Sequence, residues 1–508
     1  MSIESQNNKR IAKNTIILYF RMIITTLVSL YTARLMLQLL GVEDFGIYNV
    51  VGGIIGFMAI ITGTMTSATM RFLAYDLGKK DINQYRRTFS MLINMFFVFC
   101  LMTIVLMEII GPYFIAEHLV IPDDRQFAAQ WIFQYTIVTF CFTTMEIPFT
   151  ASIVSYEKMN IYAYFAFIDV GLKLLSVLVL YITPIDKLIT YGTIIMLGSI
   201  LKTSIMFIYC LRKLDGCNYI KYWDKTLFKK MSSYTGWNLF GSTTGVLNNQ
   251  GQAILLNLFF GPLVNASKAI ADKINSIIYS FSQNFFMAVN PQIIKAYASG
   301  DFDYTRKLVI KSIRMSSMIF WGLSFPIIYH MKDILIIWLG REQVSHETVL
   351  FSQLTLLLSI TSCYETPITQ TVRATGNIKK YQIVIGVQTL LFAPICFIAF
   401  KLGAPAYSSL IVLIIIYSLT IFSRSLFLRK ILNVNLIGFM KETVLSFLII
   451  MALSIFILYI LNNFVYGESW IANLVFDFII QFGIIILWGL NNKERKYIAN
   501  LIKIKRNA

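Results

Sequence analysis

The sequence predicts an all-α protein that crosses a membrane about fourteen times, with two parallel six-helix repeats followed by a helix pair. Of its 508 residues, 57% are hydrophobic, and its mean hydropathy is +0.67. Apolar runs of about 20 residues, each long enough to cross the hydrocarbon core, follow one another from Asn14 to Leu490. The string Glu-x-Pro-x-Thr occurs at Glu146 and again at Glu365, 219 positions later. Together these observations exclude a water-soluble fold.

The spans are assigned where the apolar runs lie between charged connections. They are predicted at 14–40, 46–72, 88–111, 129–151, 163–183, 189–211, 233–259, 265–290, 306–328, 349–372, 381–400, 405–428, 442–462 and 469–490. Lysine and arginine are concentrated in every second connection, whereas the intervening connections carry few of them. Because basic connections stay in the cytoplasm, we expect both termini on the cytoplasmic side.

The duplication predicts the domain organisation. Gly41 and Gly261 are 220 positions apart, as are Asp81 and Asp301, and the two aspartates are predicted to be helix N-caps. Because each repeat has an even number of spans, both repeats run in the same direction through the membrane. We expect an N-terminal lobe at residues 1–215, a C-terminal lobe at 216–432, and a helix pair with a basic cytoplasmic tail at 433–508.

Composition and motifs argue against several function classes. The formal charge of +18 is spread over the connections rather than gathered on one domain, so no nucleic-acid partner is predicted. The six cysteines form no C-x-x-C pair, so neither a zinc site nor a disulfide framework is expected. Walker A spacing is absent, and every connection is too short for a catalytic domain. We therefore expect a transporter that is not an enzyme and has no metal site.

Basic residues inside the spans are the first candidates for substrate binding, since charges in the hydrocarbon mark a binding site, a pathway or an ion pair. The candidates are Arg21, Arg34, Lys202, Lys268 and Lys273. Their positive charge suits an anionic substrate, because guanidinium and ammonium groups pair with phosphate or carboxylate. Pairing with Glu146, Asp169 or Asp272 inside the protein is the alternative. Three further arginines, Arg71, Arg314 and Arg424, lie near inner borders and are expected to extend to the headgroups.

Carboxylates inside the spans are candidates for hinges or ion coupling. Glu146 precedes Pro148 by two positions, and Glu365 precedes Pro367 in the same way. Each proline frees a backbone carbonyl and kinks its helix, so a carboxylate beside it can gate or bind a cation, Na⁺ or H⁺. The alternative is a structural role at equivalent bends. Asp169 shares a helix face with Lys173, so this pair is either an internal salt bridge or part of a cavity lining.

The seventh and eighth predicted spans contain many amides. We single out Asn248, Asn249 and Gln252 as groups that hydrogen-bond sugar hydroxyls. Helices that face lipid would leave such donors and acceptors unsatisfied, so these amides are expected to face a wet cavity. Hydrogen bonding between helices is the alternative. The three histidines, His118, His330 and His346, fall at predicted outer ends, so no histidine relay through the membrane is predicted.

The stretch from Leu40 to Tyr48, Leu-Gly-Val-Glu-Asp-Phe-Gly-Ile-Tyr, resembles the turn after the first helix of polysaccharide transporters. These are the Wzx-type flippases of the multidrug/oligosaccharidyl-lipid/polysaccharide (MOP) superfamily, whose fold is shared with MATE exporters. Two six-helix lobes and a final helix pair are also similar to that family. In related flippases the last two helices form a groove for the lipid tail, in which Asp477 is an unexpected residue.

This resemblance implies a protein of the bacterial inner membrane that flips an undecaprenyl-pyrophosphate-linked oligosaccharide from the cytoplasmic to the periplasmic leaflet by alternating access. The product serves O-antigen, lipopolysaccharide or capsule assembly. Expected partners are the lipid-linked oligosaccharide, membrane lipids and other polysaccharide-assembly proteins, with the flippase itself a monomer. No cofactor is implied beyond a coupling cation. The family's cationic cavity is similar in character to Arg21, Arg34, Lys268 and Lys273.

Two other functions remain open. A cation-coupled multidrug exporter of the same fold would have a dominant acidic site and an aromatic pocket, whereas the predicted interior here is basic and rich in amides. A membrane-embedded polysaccharide polymerase or ligase would have a large outer loop, but the longest outer connection, about Gly111 to Gln130, is modest.

Overall fold

The structure is a computed structural model that describes residues 3–56, 58–118, 121–464, 469–489 and 495. Helices account for 90% of it, and the described residues contain no strand. This confirms the all-α class. The chain divides into two compact units, residues 1–242 with 287–301 and residues 243–286 with 302–508. The predicted lobe boundaries at 215 and 432 stay a prediction, and residues 490–494 and 496–508 of the predicted tail lie outside the described residues.

The first unit contains seven complete helices. They are α1 Ile3–Gly56, α2 Met58–Gly78, α3 Ile82–His118, α4 Gln126–Met145, α5 Ile147–Ser155, α6 Met159–Ile182 and α7 Lys187–Lys213. α1 packs on α6, α4 packs on α7, and α2 packs on α5. The core between α3 and α4 contains Met107, Ile132 and Phe133, all nearly inaccessible to solvent. Two further helices lie only partly in this unit: α8 Lys225–Phe260 begins in it, and α9 Pro262–Ala298 ends in it.

The second unit contains the middle of the chain's α8–α9 hairpin and the remaining helices. They are α10 Phe302–Tyr329, α11 Met331–Leu339, α12 His346–Thr375, α13 Lys379–Leu390, α14 Phe392–Lys401, α15 Ser408–Leu432, α16 Leu436–Met440, α17 Ser446–Phe464 and α18 Trp470–Ile484. α12 packs on α15 as α4 packs on α7 in the first unit. A short π-helical turn at Lys441–Leu445 joins α16 to α17, and another at Ile485–Gly489 follows α18. Such turns occur often at functional sites.

Ten helical segments of the described chain are long and apolar enough to cross a membrane. They are Arg10–Ser29, Ile82–Tyr113, Asp123–Ser155, Met159–Ile182, Lys187–Lys213, Phe302–Tyr329, Lys379–Lys401, Ser408–Leu432, Leu436–Leu461 and Trp470–Gly489. A multi-pass membrane protein is therefore confirmed. The polar helices α8, α9 and α12, of 36, 37 and 30 residues, also coincide with predicted spans. The total of fourteen stays a prediction.

The internal repeat is visible in the backbone. Four pairs of residues with positive φ stand 217–220 positions apart at equivalent helix junctions. They are Gly41 with Gly261, Lys80 with Gly300, Glu157 with Gly376, and Gly216 with Asn433. Gly41, with φ 82°, separates two helical stretches of α1 in a conformation that glycine adopts at low cost. The pattern supports duplication independently of the Glu-x-Pro-x-Thr string. In one of the four pairs the first copy has a glutamate, Glu157, where the second copy has Gly376.

Candidate functional site

Three charged side chains, from α6, α7 and the break between α4 and α5, meet inside the first unit. Lys202 of α7 places its Nζ 2.8 Å from Glu146 Oε2 and 3.0 Å from Asp169 Oδ2 of α6. Lys202 and Glu146 are mostly buried, with 11% and 15% of their side chains exposed, whereas Asp169 is 46% exposed. Because one ammonium faces two carboxylates, this triad carries a net negative charge when all three groups are ionised. It is the densest charge cluster formed by the predicted site residues.

The Glu-x-Pro-x-Thr string positions Glu146 at a helix break. α4 ends at Met145 and α5 begins at Ile147, with Pro148 in the first turn of α5. Proline has no N–H to continue the helix, and its ring clashes with the preceding turn. Thr150 Oγ1 donates a hydrogen bond to Glu146 Oε1 at 3.3 Å. The expected interruption is present here, and its use as a hinge stays a prediction.

The second copy of the string also holds a carboxylate beside a cation. Arg424 of α15 donates from Nη2 to Glu365 Oε1 at 2.9 Å and from Nη1 to Thr369 Oγ1 at 2.9 Å. It also donates to the Tyr381 hydroxyl. Arg424 is only 3% exposed, and Glu365 is 34% exposed. Unlike the triad, this pair is electrically balanced.

The continuity of the helix differs between the copies. Pro367 lies inside α12, which runs unbroken from His346 to Thr375. A proline at 367 leaves the carbonyl of Cys363 without its helical donor, and Ser316 of α10 donates its hydroxyl to that carbonyl at 3.4 Å. A neighbouring hydroxyl that satisfies the freed carbonyl helps a helix to tolerate proline. The two predicted hinges are therefore not equivalent in structure.

Asp169 breaks the symmetry of the repeat. The position 219 residues later is Gln388, whose Nε2 donates to Ser423 Oγ at 2.7 Å. The first unit thus has a carboxylate where the second has a neutral amide. Of the two alternatives for Asp169 and Lys173, the structure does not form the salt bridge, because α7 packs on α6 and brings Lys202 to Asp169. Lys173 is exposed, and its Nζ lies 3.5 Å from Ser29 Oγ.

The arginines of the first span lie on α1. The guanidinium carbon of Arg21 is 4.6 Å from the centroid of the Tyr162 ring, a cation–π distance. Tyr162 is the repeat equivalent of Tyr381, whose ring is 5.5 Å from the guanidinium carbon of Arg424. The two repeats therefore both combine an arginine with this tyrosine. The side chain of Arg34 lies outside the described residues.

The two lysines predicted on α9 have different surroundings. Lys268 is buried, and its Nζ lies 2.6 Å and 2.5 Å from the two carboxylate oxygens of Asp272. Its charge is therefore already compensated. Lys273 is exposed and contacts no acidic side chain in the described part of the chain. Of the two, Lys273 retains an ammonium that is free to meet an anion.

The predicted sugar-binding amides divide between internal and exposed positions. Asn248 and Gln252 of α8 are buried, whereas Asn249 between them is exposed. Gln252 Nε2 donates to Ser409 Oγ of α15 at 3.1 Å, which matches the alternative of hydrogen bonding between helices. Asn275 of α9 accepts from Ser359 of α12 at 2.7 Å in the same way. The hydroxyls and amides of four helices thus form a polar interior within the second unit.

The expectation that three arginines reach the headgroups is wrong for Arg71 and Arg424. Both are 3% exposed, because the protein interior supplies partners for their guanidinium groups. Arg424 has Glu365, whereas Arg71 has aromatic rings. The ring centroids within 4.6–5.8 Å of its guanidinium carbon are those of Phe72, Tyr75 and Tyr234. Arg314 donates from Nη2 to the carbonyl of Gly489 at 3.0 Å.

Sequence reasoning missed Glu157, in the connection between α5 and α6. Its side chain is 1% exposed, and its carboxylate meets Arg10 Nε at 2.6 Å, Lys295 Nζ at 2.8 Å and Gln292 Nε2 at 2.7 Å. The start of α1 and the end of α9 are thereby fixed to this connection. Burial lowers the pKa of Lys295, and the nearby Glu157 carboxylate opposes that effect. An alignment of the two repeats places Glu157 opposite Gly376. A charged residue in place of a turn glycine is the sequence signal that could have identified it.

The described residues contain no group of three or more His, Cys, Asp or Glu side chains that could hold a metal ion. The prominent interactions are instead pairs and triads of opposite charge. A site of this kind can exchange partners with an ionic ligand or take up a proton.

Comparison with known structures identifies the fold. One similar structure is described as the outward-facing conformation of a multidrug resistance MATE family transporter of the MOP superfamily; it is 10% identical, with a TM-score of 0.72 over 84% of this chain and 96% of that one. The chain has the MATE transporter fold. In agreement, the family model MatE matches residues 252–398.

Further structures with the MATE fold agree closely. The crystal structure of a mutant MATE protein is 11% identical, with a TM-score of 0.72 over 84% of this chain and 96% of that one. A MOP superfamily transporter from Pyrococcus furiosus is 12% identical, with a TM-score of 0.70 over the same shares; its description says that reverse polarity of its binding pocket suggests a different function. No curated protein sequence matches the chain. The expected MATE-like fold is confirmed, whereas the Wzx-type specificity stays a prediction.

Proposed function

We propose that this protein is a flippase that moves an undecaprenyl-pyrophosphate-linked oligosaccharide from the cytoplasmic to the periplasmic leaflet of a bacterial inner membrane by alternating access. The MATE transporter fold supports a transporter, and the Leu40–Tyr48 turn supports the polysaccharide branch of the superfamily. The product would enter O-antigen or capsule assembly.

The charge balance of the spanning helices carries this proposal. The carboxylates of Glu146, Asp169, Asp272 and Glu365 each contact a lysine or an arginine. Lys273 meets no carboxylate in the described residues. A cationic drug needs an uncompensated acidic group, whereas a pyrophosphate needs uncompensated basic ones. The exposed ammonium of Lys273 therefore favours an anionic substrate, and we propose Arg21 and Arg34 as further contacts of that substrate.

The amides support the sugar part of the substrate. Asn249 is exposed beside the buried Asn248 and Gln252, so an amide is available on a helix that also carries buried polar groups. Amides supply both donors and acceptors, as sugar hydroxyls require. The description of the Pyrococcus furiosus transporter links the polarity of its binding pocket with a different function. We use the polarity of the interior of this chain in the same way, to infer its substrate class.

A cation-coupled multidrug exporter is the second candidate, and the triad favours it. Its two carboxylates exceed its one ammonium, and Asp169 is half-exposed. We propose instead that Glu146 and Asp169 bind the coupling cation, H⁺ or Na⁺, while the basic residues bind the lipid-linked pyrophosphate. Coupling at the triad is compatible with either substrate, so the substrate must be tested directly.

Binding of purified lipid-linked oligosaccharide to the detergent-solubilised protein tests the proposal. The triple variant Arg21→Ala, Arg34→Ala and Lys273→Ala is expected to lose at least tenfold in affinity while remaining folded. Arg21→Lys should weaken binding less, because an ammonium keeps the charge but loses the planar fork. Lys401→Ala is the matched control, since Lys401 lies at the end of α14 beside the Phe397 ring. Undiminished binding by the folded triple variant would leave these charges as structural partners.

A further inference from the structure

The connection between α7 and α8 lies against α3. We call residues 214–224, which form this connection, the strap. The side-chain amide of Asn94 donates to the carbonyl of Tyr222 at 3.0 Å, and the backbone N–H of Ile220 donates to Ser90 Oγ at 3.0 Å. Both acceptor and donor on α3 belong to a helix that is long and apolar enough to cross a membrane. The strap is therefore fixed to the end of a candidate membrane span.

The side chains of the strap alternate between a covered and an exposed face. In an extended chain, successive side chains point to opposite sides. The exposed positions, continuing into the start of α8, are Tyr219, Lys221, Trp223 and Lys225, whereas the side chains between them are partly covered. The two aromatic residues are 50% and 58% exposed. The outward face of the strap thus alternates aromatic and basic side chains.

The first turns of α8 extend this face. Lys229 follows Lys225 by four residues, so the two ammonium groups lie on the same side of the helix, and both side chains are exposed. The ring of Phe228 stacks on the ring of Trp223, with 5.3 Å between the centroids and 29° between the planes. Residues 212–230 contain six basic and two acidic residues, a formal charge of +4. The surface is therefore both aromatic and cationic.

Asp224, at the end of the strap, is engaged by the backbone. Its carboxylate accepts hydrogen bonds from the N–H groups of Thr226 at 2.7 Å and Leu227 at 3.1 Å, and from the hydroxyl of Tyr222 at 3.0 Å. It thereby caps the N-terminus of α8. The three lysines of the outward face form no ion pair with the residues that the structure describes. Their charges are available to an anion outside the protein.

The second repeat makes the equivalent connection without this face. Gly216 and Asn433 are equivalent, and they are 217 positions apart. The positions 217 residues after the four exposed ones are Leu436, Gly438, Met440 and Glu442. None of these is aromatic or basic. The fold of the repeat therefore does not require aromatic and basic residues at this connection.

Two physical effects act on such a face beside a membrane. Tyrosine and tryptophan are enriched at the boundary between lipid and water, because their rings are apolar and their polar edges reach water. Lysines close to the membrane surface are attracted to anionic lipids. The alternating basic connections place the strap on the predicted cytoplasmic side, where the headgroups of the inner leaflet lie.

We propose that the outward face of the strap binds anionic phospholipids of the cytoplasmic leaflet. The rings of Tyr219 and Trp223 lie in the interfacial layer, and Lys221, Lys225 and Lys229 contact the lipid phosphates. Lipid is favoured over an acidic protein as the partner, because the strap is fixed to a candidate span and its aromatic residues belong at a lipid interface. The site is independent of the transported substrate and of the proposed flippase activity.

Fluorescence of Trp223 provides a local test. The full-length protein is placed in nanodiscs of phosphatidylcholine that contain a minor fraction of brominated phosphatidylglycerol or, as the uncharged reference, brominated phosphatidylcholine. Bromine quenches tryptophan on contact, and the difference between the wild type and Trp223→Phe isolates the signal of this residue. We expect brominated phosphatidylglycerol to quench that signal severalfold more than the reference lipid does, and raised salt to reduce the preference.

A triple glutamine variant tests the lysines. Changing Lys221, Lys225 and Lys229 to glutamine, with and without Trp223→Phe, should abolish the preference for phosphatidylglycerol. The matched control removes the same charge from exposed lysines outside the strap that are also predicted to be cytoplasmic, and it should keep the preference. Its changes are Lys307→Gln, Lys430→Gln and Lys441→Gln.

Four results would overturn the proposal. An unquenched Trp223 would show that the strap lies in water, where an acidic protein could be its partner. Equal quenching by the two brominated lipids, or an unchanged preference in the folded strap variant, would exclude recognition by charge. Loss of the preference on addition of inorganic phosphate would make free phosphate the ligand. If the strap variant fails to fold, a wild-type preference that does not change with salt would exclude a role for the lysines.

Discussion

At the scale of single residues, buried charges in this protein are compensated by partners that differ between the two repeats. Glu146 shares Lys202 with Asp169, whereas Glu365 has Arg424. Removing one partner of a buried ion pair leaves the other charge uncompensated. The stability lost in this way is larger than the stability that the intact pair contributes. The consequences of a substitution should therefore depend on how many partners remain.

Glu365→Gln is expected to destabilise the protein more than Glu146→Gln. The first change leaves Arg424, 3% exposed, without a carboxylate and should cost about 3 kcal/mol. The second leaves Lys202 with Asp169 and should cost about 1 kcal/mol. Thermal unfolding in detergent measures the difference. Equal losses, or a larger loss for Glu146→Gln, would show that the extra carboxylate does not substitute for Glu146.

Asp76 provides a test of pH dependence outside the predicted spans. Burial raises the pKa of this carboxyl to about 6, although Thr88 donates a hydrogen bond to it at 2.6 Å. Because the pKa is higher in the folded state, protonation of Asp76 stabilises the fold; that stabilisation is full below about pH 4 and is lost as the pH rises through about 6.

Lowering the pH from 7.5 to 5 should therefore raise the free energy of unfolding of the wild type by about 1 kcal/mol through protonation of Asp76. The Asp76→Asn variant should lack this increase. Unfolding midpoints of both proteins at the two pH values measure it, and titrations elsewhere cancel in the comparison. An identical pH dependence in the two proteins would exclude Asp76 as the titrating group.

At the scale of elements, the connection between α5 and α6 joins three parts of the first unit. Glu157 has φ 59° and holds Arg10 of α1 together with Lys295 of α9. A non-glycine residue in this backbone conformation is strained by about 1 kcal/mol or more. The second copy avoids that strain with Gly376, so the ion pairs explain why a glutamate is accommodated in the first.

Glu157→Gly is expected to destabilise the protein by about 3 kcal/mol, even though it relieves the backbone, because Lys295 and Gln292 lose a buried carboxylate. Lys80→Gly is the matched control, since Lys80 has φ 58° and its repeat equivalent is also glycine. That change should alter the stability by no more than about 1 kcal/mol. Similar effects of the two substitutions would mean that backbone strain, and not the ion pairs, governs this connection.

Much of the element plan could be predicted from sequence, because apolar runs and punctuating glycines are local signals. The Gly41 break and the interruption before Pro148 are examples. The sequence offers Glu146 and Asp169 as alternative partners for the basic residues but does not assign them to Lys202, nor Glu365 to Arg424, since these pairs depend on which helices pack together. The possible salt bridge of Asp169 with Lys173 is not formed. Glu157 and the pair of His330 with Asp477 join residues 135 to 147 positions apart, beyond the reach of any helical periodicity.

At the scale of the whole molecule, the alternating basic connections predict fourteen spans with both termini in the cytoplasm. Single cysteines at Ser5, Asp123 and Lys493, in a chain without native cysteines, test this with an impermeant reagent on intact cells. Labelling is expected at 123 alone, because the turn Asp123–Arg125 precedes α4 on the predicted outer side. Labelling of either terminal position, or none at 123, would contradict the topology.

The most direct test of the account is translocation by the purified protein in liposomes. We expect an undecaprenyl-pyrophosphate-linked oligosaccharide to move between leaflets, measured by access of an added sugar-cleaving enzyme to the headgroup. The rate should exceed that of empty liposomes and fall at least tenfold in the Arg21, Arg34 and Lys273 triple alanine variant. Export of a cationic drug by the same preparation, without movement of the lipid-linked oligosaccharide, would contradict the flippase and favour the multidrug exporter.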